Sequence, residues 1–176
     1  MSFSRTEVAA ACRKWGQHLW APAGVDGPTL LWAMSGNESS FGLNCLPRHE
    51  PAYCTGIYSH NPEVAKLTQD YGHGAHCSYG PWQILLVNCL EGTSPLNMAS
   101  LDRAALETVS FMNRHVLKAQ GASSVEEIAA AWNSGSPHHP NGLPPGVAKY
   151  VEQMRDYYDH EPMPQPVQAP ELSSIH

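Results

Sequence analysis

The sequence predicts a mainly α fold: a helical domain interrupted by one long irregular insertion. Three observations predict it. Apolar residues recur at three-to-four-residue spacing in several separate segments, which marks helices with one buried face. Residues 43–78 are instead rich in Pro, His, Gly and Cys and carry no such period. The composition, 176 residues with 42% apolar and 15% charged, suits one globular domain large enough to bury a core.

The elements follow in order. Val8, Cys12, Trp15 and Leu19 share one face of a first helix over 4–20. The stretch Ala21-Pro-Ala-Gly-Val-Asp-Gly-Pro28 breaks the chain, and Pro28 suits the start of a second, largely apolar helix over 29–39. Within the insertion, Asn61-Pro62-Glu63 supplies an N-cap, a first-turn proline and an acid suited to the helix dipole, so one short helix is expected there. The run Pro81-Trp-Gln-Ile-Leu-Leu-Val-Asn-Cys-Leu90 is apolar nearly all round and reads as a buried helix. A longer amphipathic helix is expected over 100–119, stopped at Gly121. Ser124-x-x-Glu127 is a capping box that opens another. A last helix is expected over 147–158, so the domain spans 1–160. The stretch 161–176 is too proline-rich and polar to pack and is expected to be a disordered tail.

Bulk properties exclude some functions. A formal net charge of −6 argues against a nucleic-acid partner, which would select a basic footprint. No run approaches the roughly 18 apolar residues of a membrane span. The first twenty residues hold no uninterrupted apolar segment and no small-residue cleavage site. The expectation is therefore synthesis in the cytoplasm without a signal peptide, with any work outside depending on another release route.

The chemistry begins at Ser35-Gly-Asn-Glu-Ser-Ser-Phe-Gly42, where Glu38 ends an apolar helix. A structural glutamate belongs on a solvated face, whereas one that must stay protonated belongs in such apolar surroundings. Two further segments stand downstream, Ser78-Tyr-Gly-Pro-Trp-Gln-Ile84 and Ala129-Ala-Ala-Trp-Asn-Ser-Gly135, followed by Lys149-Tyr-Val151. In this order, over roughly Thr29 to Met154, they resemble the soluble lytic transglycosylase family of the lysozyme superfamily. Its pattern is a Glu-Ser at a helix end, then Gly-Leu-Met-Gln, Ala-Tyr-Asn-Ala-Gly and Tyr-Val.

The resemblance implies a lysozyme-like domain that cleaves the N-acetylmuramic acid–N-acetylglucosamine β-1,4 bond of peptidoglycan. Glu38 would act as general acid and then base, closing a 1,6-anhydro ring on the sugar's own 6-hydroxyl. Substrate contacts would come from Ser78, Trp82, Gln83, Trp132 and Asn133, with the Tyr150 hydroxyl near the acid. Each residue has a plainer alternative. Trp82 is equally a core residue, Asn133 lies in an ordinary helix C-cap, and Tyr150 suits amphipathic packing.

Two features depart from the family. Pro81-Trp82 replaces Leu-Met, and Glu38 and Gln83 stand much further apart than the corresponding residues there. The intervening Arg48-x-Glu50-Pro51 is similar to a stretch in some phage-type muramidases. Glu50 is thus either a second carboxylate for hydrolytic cleavage or a structural partner of Arg48.

Five cysteines are present, and Cys45, Cys54, Cys77 and Cys89 cluster in the middle of the chain. Disulfides, a zinc site drawing on Cys45, His49, Cys54 and Cys77, and free buried thiols all fit the composition. The functional expectation is a monomeric peptidoglycan-cleaving enzyme without a cofactor, of the kind released by a phage to act on the cell wall. The alternatives are a hydrolytic muramidase and, from a different class, an inactive wall-binding or structural virion module.

Overall fold

The computed structural model describes residues 2–166, of which α1 (Arg5–Gly16) and α2 (Gly27–Ser39) form the first helical pair. Ser4 and Glu7 close a reciprocal capping box on α1, and the Asp26 carboxylate accepts from Thr29 N–H to cap α2. Leu30 through Gly36 are all buried, so α2 is enclosed on every side rather than along one stripe. It packs between α1 and α7 (Pro145–His160), and α7 in turn packs on α6 (Val125–Ser134). Side chains such as Leu30, Leu31 and Met34, all 0% exposed, contribute roughly 1.5–3 kcal/mol each on burial. That concentration of core fixes where the end of α2 sits. The expected mainly α class holds, with 58% helix and 4% strand.

α5 (Leu101–Phe111) opens on a Ser100 cap and packs on α1. The expected single helix over 100–119 changes character at Met112, where residues 112–119 widen into a π-helix. α6 begins at the expected Ser124, whose hydroxyl accepts from Glu127 N–H. The Glu127 carboxylate reaches Ser123 N–H instead of the cap residue's own, so the box is only half formed.

The segment expected to be an irregular insertion is built from short pieces: β1 (Arg48–His49), α3 (Pro51–Cys54), α4 (Pro62–Tyr71) and β2 (Cys77–Tyr79). α4 starts at the expected Asn61 cap. β1, β2 and β3 (Ile84–Leu85) form a three-stranded antiparallel sheet in that order, pairing Arg48 with Ser78 and His49 with Cys77.

β3 overturns the expected buried helix over 81–90. Residues 80–83 turn tightly, with Gly80 at φ 73° and Gln83 at φ 48°, and Ile84–Leu85 then pairs with β2 before a short 3-10 turn at 86–88. A uniformly apolar run lacks the period that separates a buried strand from a buried helix, and here Gly80-Pro81 resolves it as a turn.

Residues 161–166, the first part of the expected disordered tail, lie against α1. Glu161 pairs with Arg5, and the Pro164 carbonyl accepts from Arg13. Residues 167–176 of that tail lie outside the described residues.

Candidate active site

Glu38 is on the last turn of α2, directly before three consecutive left-handed residues, Ser40 (φ 52°), Phe41 (φ 60°) and Gly42 (φ 91°). Two of them pay the Cβ penalty of that region, a strain held by local packing. The Phe41 ring stacks on Trp32 at 4.4 Å and abuts Gly36, where any Cβ would collide with it. The tight turn therefore caps α2 one residue beyond Ser39, just after Glu38.

The Glu38 side chain is 9% exposed. Its Oε1 accepts two hydrogen bonds, from the Tyr150 hydroxyl at 2.8 Å and from the Trp132 indole N–H at 3.0 Å. These donors come from α7 and α6, the helices that complete the frame around α2. Asn37 donates to the Tyr150 backbone carbonyl at 2.9 Å and so ties the start of α7 to the end of α2. Arg48 on β1 stands 3.6 Å from Oε2, too long for a hydrogen bond but close enough for charge to act.

Burial pushes the Glu38 carboxyl above its ordinary pKa. The Tyr150 bond, the Arg48 charge and the Trp132 bond oppose that shift, and the Glu50 charge adds to it. Oε1 is a double acceptor, which leaves Oε2 as the oxygen free to carry a proton in the neutral acid. Tyr150 is in turn held well above its ordinary pKa, first by burial and then by the Glu38 charge, so it stays a donor.

Arg48 links the two carboxylates. Its Nε donates to Glu50 Oε1 at 2.8 Å while its other end faces Glu38. The same Glu50 oxygen accepts from the Ser78 hydroxyl at 2.9 Å. Both candidate carboxylates line one cleft of about 390 Å³, together with Gln83, Trp132 and Asn133. A second cavity of about 840 Å³ shares Tyr53, Tyr58 and Asn88 with it.

Three expected substrate contacts have other duties. Trp82 is fully buried and its indole N–H donates to the Leu31 carbonyl at 2.8 Å, so it bolts the 80–83 turn to α2 and offers no stacking surface. Ser78 is 1% exposed and faces Glu50 and Gln83, so it positions side chains instead of meeting a sugar. Gln83 donates an amide N–H to the Gly80 carbonyl, and its own carbonyl lies 3.0 Å from the Ser78 hydroxyl, for whose single proton it competes with Glu50. It lines the cleft at 7% exposure with one amide N–H turned inward. Asn133 is exposed on the cleft wall, where a ligand can reach it.

Arg48, expected from the sequence only as a structural partner of Glu50, also faces Glu38. Alternation along a strand was the available signal: Arg48 and Glu50 fall on one side of the chain and His49 on the other.

Of the three states the composition allows, disulfides are not formed, and all five cysteines are free thiols. The alternative zinc quartet of Cys45, His49, Cys54 and Cys77, set beside an expectation of no metal, is not assembled either. Among the described residues, the group whose possible ligand atoms lie within 4.8 Å of one another is His49, His73 and Cys77, without Cys45 or Cys54.

Set against protein-family models, curated proteins and solved structures, the chain matches none of them.

Proposed function

We propose that the protein is a peptidoglycan-cleaving enzyme with a lysozyme-like helical domain, and that Glu38 protonates the departing glycosidic oxygen. One observation carries this reading. A nearly buried carboxyl at a helix end is held through one oxygen by Tyr150 and Trp132, which leaves the other oxygen without a hydrogen-bond donor among the described residues and burial favouring the neutral acid. Apolar burial that favours the neutral acid, beside donors that fix its orientation, is what general acid catalysis near neutral pH demands. The resemblance to soluble lytic transglycosylases supplies the substrate class, because Glu38, Trp132 and Tyr150 all fall within its motifs. A second cavity bordered by the same Tyr53, Tyr58 and Asn88 favours a polymeric ligand over a small one, since a glycan strand needs room beyond the scissile bond.

Transfer to the substrate's own 6-hydroxyl is the favoured outcome. After protonating the leaving group, Glu38 becomes a carboxylate stabilised by two hydrogen bonds and the Arg48 charge, ready to take a proton back. Glu50 Oε1 is already engaged by Arg48 and Ser78, which suits it to anchoring Arg48 more than to activating water. A second reading, hydrolysis with Glu50 as the assisting carboxylate, draws on its place in the same cleft.

Mass spectrometry of a digest of purified walls tests both. The favoured reading expects 1,6-anhydro products one water lighter than hydrolysis products, and only a modest loss in Glu50→Gln. Reducing-end products with a severe loss in Glu50→Gln would establish hydrolysis. No cleavage at all by folded protein would leave the wall-binding module.

A further inference from the structure

The two-residue ribbon of β1 and β2 has two faces, and the active-site reading uses one. Arg48 pairs with Ser78 and both point toward Glu50. His49 pairs with Cys77, so by strand alternation these side chains share the opposite face. His73 reaches the same place from the 3-10 turn at 72–76, and its ring stacks on that of His49 with centroids 4.5 Å apart. Possible ligand atoms of all three lie within 4.8 Å of one another.

We propose that His49, His73 and Cys77 form a binding site for a divalent transition-metal ion of the zinc type, which clasps β1 to β2 behind the candidate active site. The donor chemistry points to that class. Two imidazoles with a thiolate suit a borderline-soft ion such as Zn²⁺ and suit Mg²⁺ or Ca²⁺ poorly. Bonds of about 2.0–2.3 Å in a tetrahedron set donor separations of about 3.3–3.6 Å, which side-chain rotation reaches from the present spacing. Two of the ligands, His49 and His73, are exposed, giving an ion a way in, and Cys77 is buried beneath them. On binding, the Cys77 thiol releases its proton to solvent and the thiolate bonds the metal, while the imidazoles bind as neutral ligands. Water completes the fourth position.

Packing alone gives a weaker account of the cluster. Residues 46–63 contain no buried residue, so β1 is held by little besides its pairing with β2. The neighbouring His76 adds a further unspent polar group: its Nε2 meets Thr68, but its buried Nδ1 has no partner among the described residues. A metal bond between the strands would supply the cross-link this part of the core lacks. That such a clasp would steady Arg48 opposite Glu38 rests on the functional reading above, whereas metal binding itself does not.

The test uses Glu38→Gln protein throughout, so its result is independent of wall cleavage. Titration with Zn²⁺ should saturate at about one equivalent, and Co²⁺ should give a thiolate-to-metal absorption band. Zn²⁺ should also raise the Tm by several degrees and slow hydrogen exchange at Glu50 N–H, which bonds the His76 carbonyl across the ribbon at 2.8 Å. Adding His73→Asn or Cys77→Ser should weaken Zn²⁺ binding at least 10-fold, while adding His60→Asn should not. The exposed His73 keeps the test sound if Cys77→Ser fails to fold, because its metal-free Tm should be unchanged. Absent saturable binding, or binding that survives His73→Asn, would overturn the site. Binding without slowed exchange at Glu50 would overturn the clasp.

Discussion

α2 and the insertion approach the same carboxylate from opposite sides, yet they are held in place by different physics. From Leu30 to Gly36 every residue of α2 is buried, and the helix is pinned by two capping devices and by neighbours on both flanks. From Leu46 to Glu63 no residue is buried, and the chain is held by short strand pairings, turns and the Arg48–Glu50 pair. The proton donor thus belongs to the stable part, and the charge that tunes it belongs to a part stabilised mainly by local bonds. Local opening is expected to begin in the insertion, which would withdraw Arg48 from Glu38 without disturbing Tyr150 or Trp132.

The sharpest way to break this comparison is Glu38→Gln. The variant keeps size and helix propensity but removes the proton donor, so wall clearing should fall by roughly 10⁴-fold, the upper end for general acid–base groups. Stability should move the other way. Burial raises the carboxyl pKa in the folded state above its unfolded value. The stabilisation linked to that proton is therefore complete below the unfolded pKa and lost as pH rises through the folded one. Relative to wild type, the Gln variant should gain stability as pH rises toward neutral, a trend visible in denaturant midpoints measured across pH. Retained clearing by a well-folded variant would remove Glu38 from the chemistry.

Leu30→Ala probes the frame. Leu30 is 0% exposed, and truncating it should cost about 2–5 kcal/mol of global stability. Chemical denaturation should show a shifted midpoint with an unchanged slope. A loss below about 1 kcal/mol would mean α2 is not the anchor its burial implies.

The frame was also the readable part of the sequence. A helix announces itself through period and caps, so Asp26, Asn61, Ser100 and Ser124 stand close to where pattern alone put the helix starts. Glu38, Trp132 and Tyr150 stand out in the sequence through short motifs on α2, α6 and α7, and the structure brings those three side chains together. What pattern could not give was long-range pairing. Nothing local says that Ser78 opposes Arg48, that His73 stacks on His49, or that the Trp82 indole reaches the Leu31 carbonyl. The same gap explains why Ser78 and Gln83 were assigned to the ligand: their actual partners are each other and Glu50, a carboxylate 28 residues away from Ser78.

Arg48→Gln tests the link between the two regions. Its cation draws the Glu38 pKa down, so its loss should raise that pKa further and move the upper limb of the pH–activity profile to higher pH. The Arg48 side chain is 56% exposed, so solvent screening keeps the effect small. A fall of about 10-fold in rate at the optimum is expected, or roughly 1.4 kcal/mol in the barrier. An unmoved pH profile would show that the guanidinium does not act on Glu38.

Ile57 offers the smallest effect and the cleanest test of how the insertion is held. It is 80% exposed at the insertion's outer turn, beside Tyr58, which lines the cleft. An apolar side chain that exposed has little burial free energy to lose. Ile57→Ser should therefore change stability by no more than about 0.5 kcal/mol, a Tm shift of roughly 1–2 °C for a domain of this size, and leave wall clearing intact. A loss above about 1 kcal/mol would mean that Ile57 is packed in solution, so the insertion would have a core of its own. In that case Arg48 would be carried on a second stable unit, and opening of the insertion could not be what withdraws it from Glu38.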